Sequence, residues 1–393
     1  MLRSGSDMRV LVTSPVFPPD LGGPAVYVPS LGRFLAERGH EVTVVAFCAD
    51  PNPRGYPFRV VAIERGPLLL RYLKAAWRTF VEARKADVVY VNEHLALLHV
   101  AAARLAGRKV MIRLMVDGAW EISHRKGWIG GDDIETFEGK RYGWKVALTR
   151  RLQRTWWGWC HQLIACSDFL RRIPIERYGV PAPKVELVYN AYHGPRASDV
   201  SGGRAGARAR LGLDPKKRYL LTVCRLMVWK RVDGILRALA KLPDDVELLV
   251  AGDGDMLEPW RQLARELGLE QRAHFLGNVP YEHIPDHICA ADVFVLNSEY
   301  EGLSHTLLEV SALGTPIVAS RIGGNPEVVE HERNGLLVPL RDDEALRAAI
   351  ARLLDDPELA QRFVAAGQER MQRFDREQTF GRIETVLAGL ARR

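Results

Sequence analysis

The 393-residue chain has no apolar run approaching the ~18 residues needed to cross a bilayer, and its amino-terminal stretch lacks an apolar segment followed by a cleavage site. The expectation is a protein neither secreted nor integral to a membrane. Cysteine is scarce as well: Cys48, Cys160, Cys166, Cys224 and Cys289 are odd in number, far apart and never spaced C-x2-C. That excludes a disulfide framework and a zinc site and fits a reducing cytoplasm. No metal-ligand cluster, tandem repeat or low-complexity tract appears, so no metal is expected. A nicotinamide dehydrogenase would need G-x-G-x-x-G between a strand and a helix with an acid about 20 residues on, and that is missing too. Acidic residues are the minority sign, 48 against 55 Lys and Arg. The resulting net charge of +7 points to an anionic partner: nucleic acid, a phosphorylated substrate or an acidic membrane surface.

What is present is ordinary globular composition, 47% apolar and 26% charged, in a chain long enough for two domains of roughly 150–200 residues. Residues 1–7 precede the first clean strand and carry no part of the fold argument. Residues 9–13 (RVLVT) predict a buried strand, 14–24 (SPVFPPDLGGP) a loop, and the next stretch a helix reaching Glu37 and a strand over 42–47. The alternation continues with 58–63, a helix over 70–84, 87–91, a helix over 95–105, and 109–115. It implies a parallel sheet wrapped by helices, whose ligands bind at the carboxyl ends of the strands. Gly22 and Gly23 follow the first strand and suit either close backbone approach to a ligand or a plain turn. Asp117 follows the last of these strands and suits either the binding edge or the cap of a turn.

After a strand over 185–188, residues 190–208 (NAYHGPRASDVSGGRAGAR) are small, polar and aperiodic, and predict an interdomain linker. Strands over 219–223, 246–251, 273–276, 293–296 and 317–319 then predict a second Rossmann-like domain, 205–373, facing the first, 8–195, across a cleft. From Asp342 onward the pattern is helical.

The most informative residues lie in 292–315, DVFVLNSEYEGLSHTLLEVSALGT. A buried strand over 293–296 and helical spacing over 306–313 make 297–305 a strand-to-helix turn, whose amides and dipole attract phosphate. Glu301 and Glu309, eight residues apart, fall on roughly one side of this turn and helix, where two carboxylates can grip sugar hydroxyls. An acidic helix start with one solvated Glu fits the same spacing. Arg225 and Lys230, in the loop CRLMVWK after another strand, can hold a diphosphate leaving group or simply be solvated.

EGLSHTLLEVSALGTPIVAS and the following RIGGNPEVVEHERNGLLV resemble the E-x7-E region of the family 4 retaining glycosyltransferases of the GT-B fold. CRLMVWK is similar to the family's GR-x4-K, with Cys224 in place of Gly, and AGDGD matches its GDG turn. The resemblance implies a nucleotide-diphosphate sugar, UDP- or GDP-linked, as donor and a hydroxyl of a glycolipid or growing polysaccharide as acceptor, with no cofactor. It places Glu301 on donor-sugar hydroxyls and Glu309 on the nucleotide ribose. Arg225, Lys230 and the turn Leu303, Ser304, His305 and Thr306 fall on the diphosphate, Val279 at the base, and Gly23 toward the donor phosphates. Many relatives carry His where this chain has Asp117. The helix over 374–393 is expected to cross back onto the first domain.

Residues 140–161 (KRYGWKVALTRRLQRTWWGWCH) hold six Lys or Arg and four Trp, and 68–84 have a similar character. Such helices suit an anionic membrane surface, stacking on nucleic-acid bases, or a surface helix whose Trp side chains enter the core. The expectation taken forward is peripheral membrane contact without nucleic acid, since a nucleic-acid binder leaves the E-x7-E and the Arg/Lys loop without a role.

Overall fold

The computed structural model of the chain describes residues 7–20, 23–64, 66–92, 96–192 and 194–392. Gly22 and Leu95 lie outside them. Two compact units form, one of Met1–Tyr189 with Arg376–Arg393 and the other of Asn190–Asp375.

In the first unit seven strands run parallel: β1 (Arg9–Ser14), β2 (Glu41–Phe47), β3 (Arg59–Ile63), β4 (Val88–Val91), β5 (Lys109–Leu114), β6 (Gln162–Ala165) and β7 (Val185–Leu187). Their order is β3-β2-β1-β4-β5-β6-β7. Val10 sits opposite Val42 on one side and Val88 on the other, and all three are buried, as short apolar runs covered on both faces require. The helix Arg376–Ala391 belongs to this unit. Phe380 meets the rings of Tyr27 and Phe34 edge-on at 5.6 and 5.4 Å, and Glu384 reaches His40 at 2.9 Å.

The second unit holds β8 (Arg218–Val223), β9 (Val246–Ala251), β10 (Ala273–Gly277), β11 (Val293–Leu296), β12 (Ile317–Ser320) and β13 (Leu336–Val338), again parallel, in the order β10-β9-β8-β11-β12-β13. Leu220, Leu248, Val250, Val293, Val295 and Val318 anchor its core. The chain reverses its direction of travel across the sheet between β8 and β11, which is where open parallel sheets form ligand crevices.

Three expectations change. The alternation read from the sequence omits β6 and β13, strands of four and three residues. The predicted linker 190–208 is structured: it carries a 3-10 turn Ala197–Asp199 and the start of a helix Gly203–Leu211. Arg204 and Arg208 of that helix pair with Asp292 at 3.1 and 2.6 Å, and Ala207 is fully buried, tertiary contacts that composition does not reveal. The Trp-rich segment forms a helix Trp144–Trp159 that divides its tryptophans. Trp156 and Trp157 are core, while Trp144 and Trp159 are 73% and 44% exposed.

Candidate active site

Four loops leave the carboxyl ends of β8, β9, β11 and β12 in the second unit, and backbone contacts lock them together. The β8 loop and the GDG turn are stitched by Leu226 N–H donating to Asp253 O at 2.9 Å and Met256 N–H donating to Leu226 O at 3.0 Å. Gly252, at φ 137°, approaches so closely that a Cβ would lie 1.9 Å from the Cys224 carbonyl oxygen, so only glycine fits. The β11 loop is held in turn by Glu299 N–H donating to Trp229 O at 2.7 Å and by Asn297 Nδ2 donating to Arg231 O at 3.1 Å. On its other side lie Gly323 and Gly324. A Cβ on either would meet the carbonyl oxygen of Glu301 or Gly302 at 2.2 Å, and Gly324 N–H donates to Glu301 O at 2.9 Å. Absent from the sequence-derived site residues, these two glycines fix the backbone that aims Glu301.

Ser304 caps the helix His305–Leu313, its Oγ accepting from Leu307 N–H at 3.2 Å, which sets the start of this helix, with His305 and Thr306, at the end of the β11 loop. Leu303 is buried, and its carbonyl accepts from Asn190 Nδ2 at 2.9 Å. Val279 is half-buried in the loop after β10, two residues before Tyr281.

Lys230 and Glu301, assigned separate roles above, form an ion pair at 2.5 Å. Burial works to lower the Lys230 pKa, but the Glu301 carboxylate, helped by Cys224, outweighs it and the net shift is upward. Lys230 therefore stays charged. Arg225 is exposed and has no ion pair or side-chain hydrogen bond among the described residues. Around this pair Glu299 is buried between Arg231 (3.1 Å) and Arg341 (2.8 Å), a clamp the sequence reading missed because its partners lie 68 and 42 residues away.

Glu309 is the contrasting carboxyl. It is buried, its Oε1 has no hydrogen-bond partner, and it makes no ion pair among the described residues. Burial pushes its pKa up to about 7, which the Tyr281 hydroxyl, donating toward it, offsets only in part. The Tyr192 hydroxyl feels the same charge, its pKa raised by burial first and by Glu309 second. An acceptor oxygen buried without a donor costs roughly 1–3 kcal/mol.

In the first unit the expected residues read differently. Gly23 opens the helix Gly23–Glu37, and a Cβ there would meet nothing within 4 Å, so packing does not require glycine. Asp117 does not face solvent at the strand edge. It is fully buried and caps the helix Gly118–Arg125, with Oδ1 accepting from Ala119 N–H (2.8 Å), Trp120 N–H (3.0 Å) and Gln153 Nε2 (3.0 Å) and Oδ2 from Tyr178 OH (2.9 Å). Four donors leave this carboxylate engaged in holding helices together, the capping alternative for an acid after a strand.

The sequence pattern described as glycosyl transferases group 1 matches residues 204–370, and that of glycosyltransferase family 4 matches residues 21–193. An uncharacterized glycosyltransferase of Methanocaldococcus jannaschii is 26% identical over 89% of this chain and 90% of its own length. A GDP-mannose-dependent alpha-(1-6)-phosphatidylinositol monomannoside mannosyltransferase of Mycobacterium tuberculosis is 29% identical over 92% of this chain and 93% of its own. Among solved structures, Anabaena HepE in complex with UDP-glucose superposes with a TM-score of 0.79 at 22% identity, covering 98% of this chain and 100% of that one.

Proposed function

The chain belongs to the family 4 glycosyltransferases of the GT-B fold, and from that premise we propose that it moves a sugar from a UDP- or GDP-sugar to an acceptor hydroxyl with retention of configuration. The observation that carries the donor reading is Glu309, a buried carboxyl with an unmet acceptor oxygen on the helix that follows the loop bearing the Glu301–Lys230 pair. The paired hydroxyls of a ribose supply the missing donors. Arg225, Lys230 and the amides of the helix start then neutralise the diphosphate as it departs, where preorganised donors act most strongly. Glu301, steadied by Lys230, takes the hydroxyls of the donor sugar, and Val279 borders the base. The departing diphosphate oxygen accepts the acceptor's proton on the face it leaves, so no protein base is assigned, and neither is a metal.

A panel of UDP-, GDP- and ADP-sugars in a thermal-shift measurement tests this reading. One base should raise the midpoint well above the others, and saturation at 100 times the dissociation constant corresponds to about 2.7 kcal/mol. No shift with any nucleotide would overturn the donor site.

We infer that the acceptor is a hydroxyl on a lipid-linked sugar, met at the cytoplasmic face of a membrane. The mycobacterial relative names such an acceptor. Among the described residues no helix is long and apolar enough to cross a membrane, so contact would be peripheral. Support comes from exposed apolar stripes flanked by cations: Leu69, Leu73 and Trp77 on the helix Leu68–Ala83, and Trp144, Leu148 and Trp159 on Trp144–Trp159. Both helices pack on the helix Leu97–Leu105. Each cation near an anionic leaflet contributes about 1 kcal/mol. Pelleting with vesicles should rise with anionic-lipid content, fall at high salt and be lost in Leu73→Glu/Trp77→Glu. Equal recovery in the supernatant at every composition would leave a soluble acceptor.

A further inference from the structure

The helix Trp144–Trp159 turns a second face toward a recess of the first unit. Lys140, Arg141, Arg150, Arg151, Arg154 and Arg177 line an open cavity of about 600 Å3, whose wall also includes Tyr178, Glu138 and Glu176. That volume falls within the ~300–1,000 Å3 typical of small-molecule sites. On the helix Arg150 and Arg154 turn away from the exposed stripe of Trp144, Leu148 and Trp159, whereas Arg151, three residues after Leu148 and seven after Trp144, borders it, so the recess adjoins the apolar surface at Arg151.

The positive charge is largely uncompensated. Lys140 pairs with Asp132 at 2.8 Å. Arg150 donates to the carbonyls of Phe137 and Lys140 and lies 4.0 Å over the Phe137 ring, a fixed rather than a mobile cation. Arg141, Arg151, Arg154 and Arg177 have no ion pair or side-chain hydrogen bond among the described residues. Elsewhere arginines find carboxylates, as Arg208 does at Asp292 and Arg210 at Asp286, both at 2.6 Å. The wall's own acids do not serve. Glu176 is exposed and makes no ion pair among the described residues. Burial and the neighbouring Asp117 push the Glu138 pKa up to about 9 against the pull of Arg150 and Arg177, so this carboxyl is protonated at neutral pH and cancels nothing.

We propose that this recess binds a phosphomonoester or polyphosphate group, with Arg151, Arg154 and Arg177 as its principal contacts and Arg150 as a fixed wall. Guanidinium forks match phosphoryl oxygens two at a time, and several converging forks favour a dianion over the single charge of a diester. The Asp117 network forms the floor: Tyr178 and Glu138 both line the recess and both reach Asp117. That gives the buried acid of this unit a second task, keeping the floor rigid.

The phosphate could be carried by a soluble molecule or by a lipid headgroup, and two arms separate these sources. In the first, inorganic tripolyphosphate is titrated calorimetrically into the full chain carrying Arg225→Ala, which weakens anion binding at the strand-end loop of the other unit and leaves what remains there the same in every variant compared. Binding at the recess should weaken about a thousandfold when Arg151→Ala/Arg154→Ala/Arg177→Ala is added, each lost charged contact contributing a factor of about ten. The corresponding Lys triple should lose an intermediate amount, and an unchanged circular dichroism spectrum in both separates lost binding from lost folding. In the second arm, vesicles of phosphatidylcholine carry phosphatidic acid, a phosphomonoester, or phosphatidylglycerol, a diester, at equal surface charge. Selective loss of pelleting on phosphatidic acid in the triple variant assigns the site to a lipid headgroup, and loss of tripolyphosphate binding alone assigns it to a soluble phosphate. Tripolyphosphate affinity and vesicle pelleting both unchanged in the triple variant would overturn the proposal.

Discussion

Lys230→Ala should lower turnover about 100- to 1,000-fold and also destabilise the fold, whereas Arg225→Ala should lower turnover with little change in stability. The two cations share a loop but not an environment. Arg225 is exposed and has no ion pair among the described residues, so its removal changes folding by a few tenths of a kcal/mol at most. Lys230 lies 2.5 Å from Glu301, with side chains only 17% and 11% exposed. Its removal strands a largely buried carboxylate, which costs about 3 kcal/mol, the low end for a broken buried pair because some solvent remains. Lys230→Met with Glu301→Gln removes both charges together and should restore stability to within about 1 kcal/mol while leaving turnover as low as in the single variant. Urea denaturation and initial rates measured on all four proteins check this. Normal turnover in Arg225→Ala and Lys230→Met/Glu301→Gln would mean that the loop takes no part in the chemistry. The turnover loss is of the size seen when one preorganised donor is taken from a developing anion.

The second large effect is a pH dependence of donor binding centred on Glu309. Only the ionised carboxyl can accept from both ribose hydroxyls, and burial holds its pKa near 7 against the pull of Tyr281. A nucleoside diphosphate should therefore bind about tenfold more weakly at pH 6 than at pH 8, with proton release on binding near pH 7. Glu309→Gln should bind about 10- to 100-fold more weakly at pH 8 and lose this component of the pH dependence. Titration of the nucleotide's own phosphate is common to both proteins and cancels in the comparison. The same shift acts on folding in a definite direction. Because the folded state holds this proton more tightly than the unfolded chain, stability falls as pH rises from about 4.5 through 7, by roughly 3 kcal/mol at most. Glu309→Gln should then unfold at higher denaturant than the parent at pH 8 while matching it at pH 4. Calorimetry and denaturation at the two pH values decide both points, and parallel pH profiles in the parent and Glu309→Gln would remove Glu309 from the nucleotide site.

Local pattern alone determined much of this protein. Short apolar runs alternating with helical spacing specify two parallel sheets, because a strand buried on both faces and a helix buried on one leave different periods in the chain. The loops bearing Arg225, Lys230, Glu301 and Ser304 were placed at strand ends for the same reason, and their spacing sufficed for the family resemblance. Glycines were legible as turns but not as clamps: Gly323 and Gly324 matter through the carbonyls of Glu301 and Gly302, which no neighbour in sequence reveals.

Only the tertiary structure decided which charges meet. Lys230 and Glu301 stand 71 residues apart and pair because β8 and β11 are adjacent in the sheet. Glu309 is left with an unmet oxygen, and Asp117 is saturated with donors, although both were read as polar residues beside a strand-end site. The Trp144–Trp159 segment makes the same point, since one composition yields two core rings and two exposed ones according to the face each position takes. Periodicity is written in neighbours along the chain. Burial and pairing depend on groups that the sheet order brings together, and those determine whether a carboxylate binds a lysine, a helix end or a sugar.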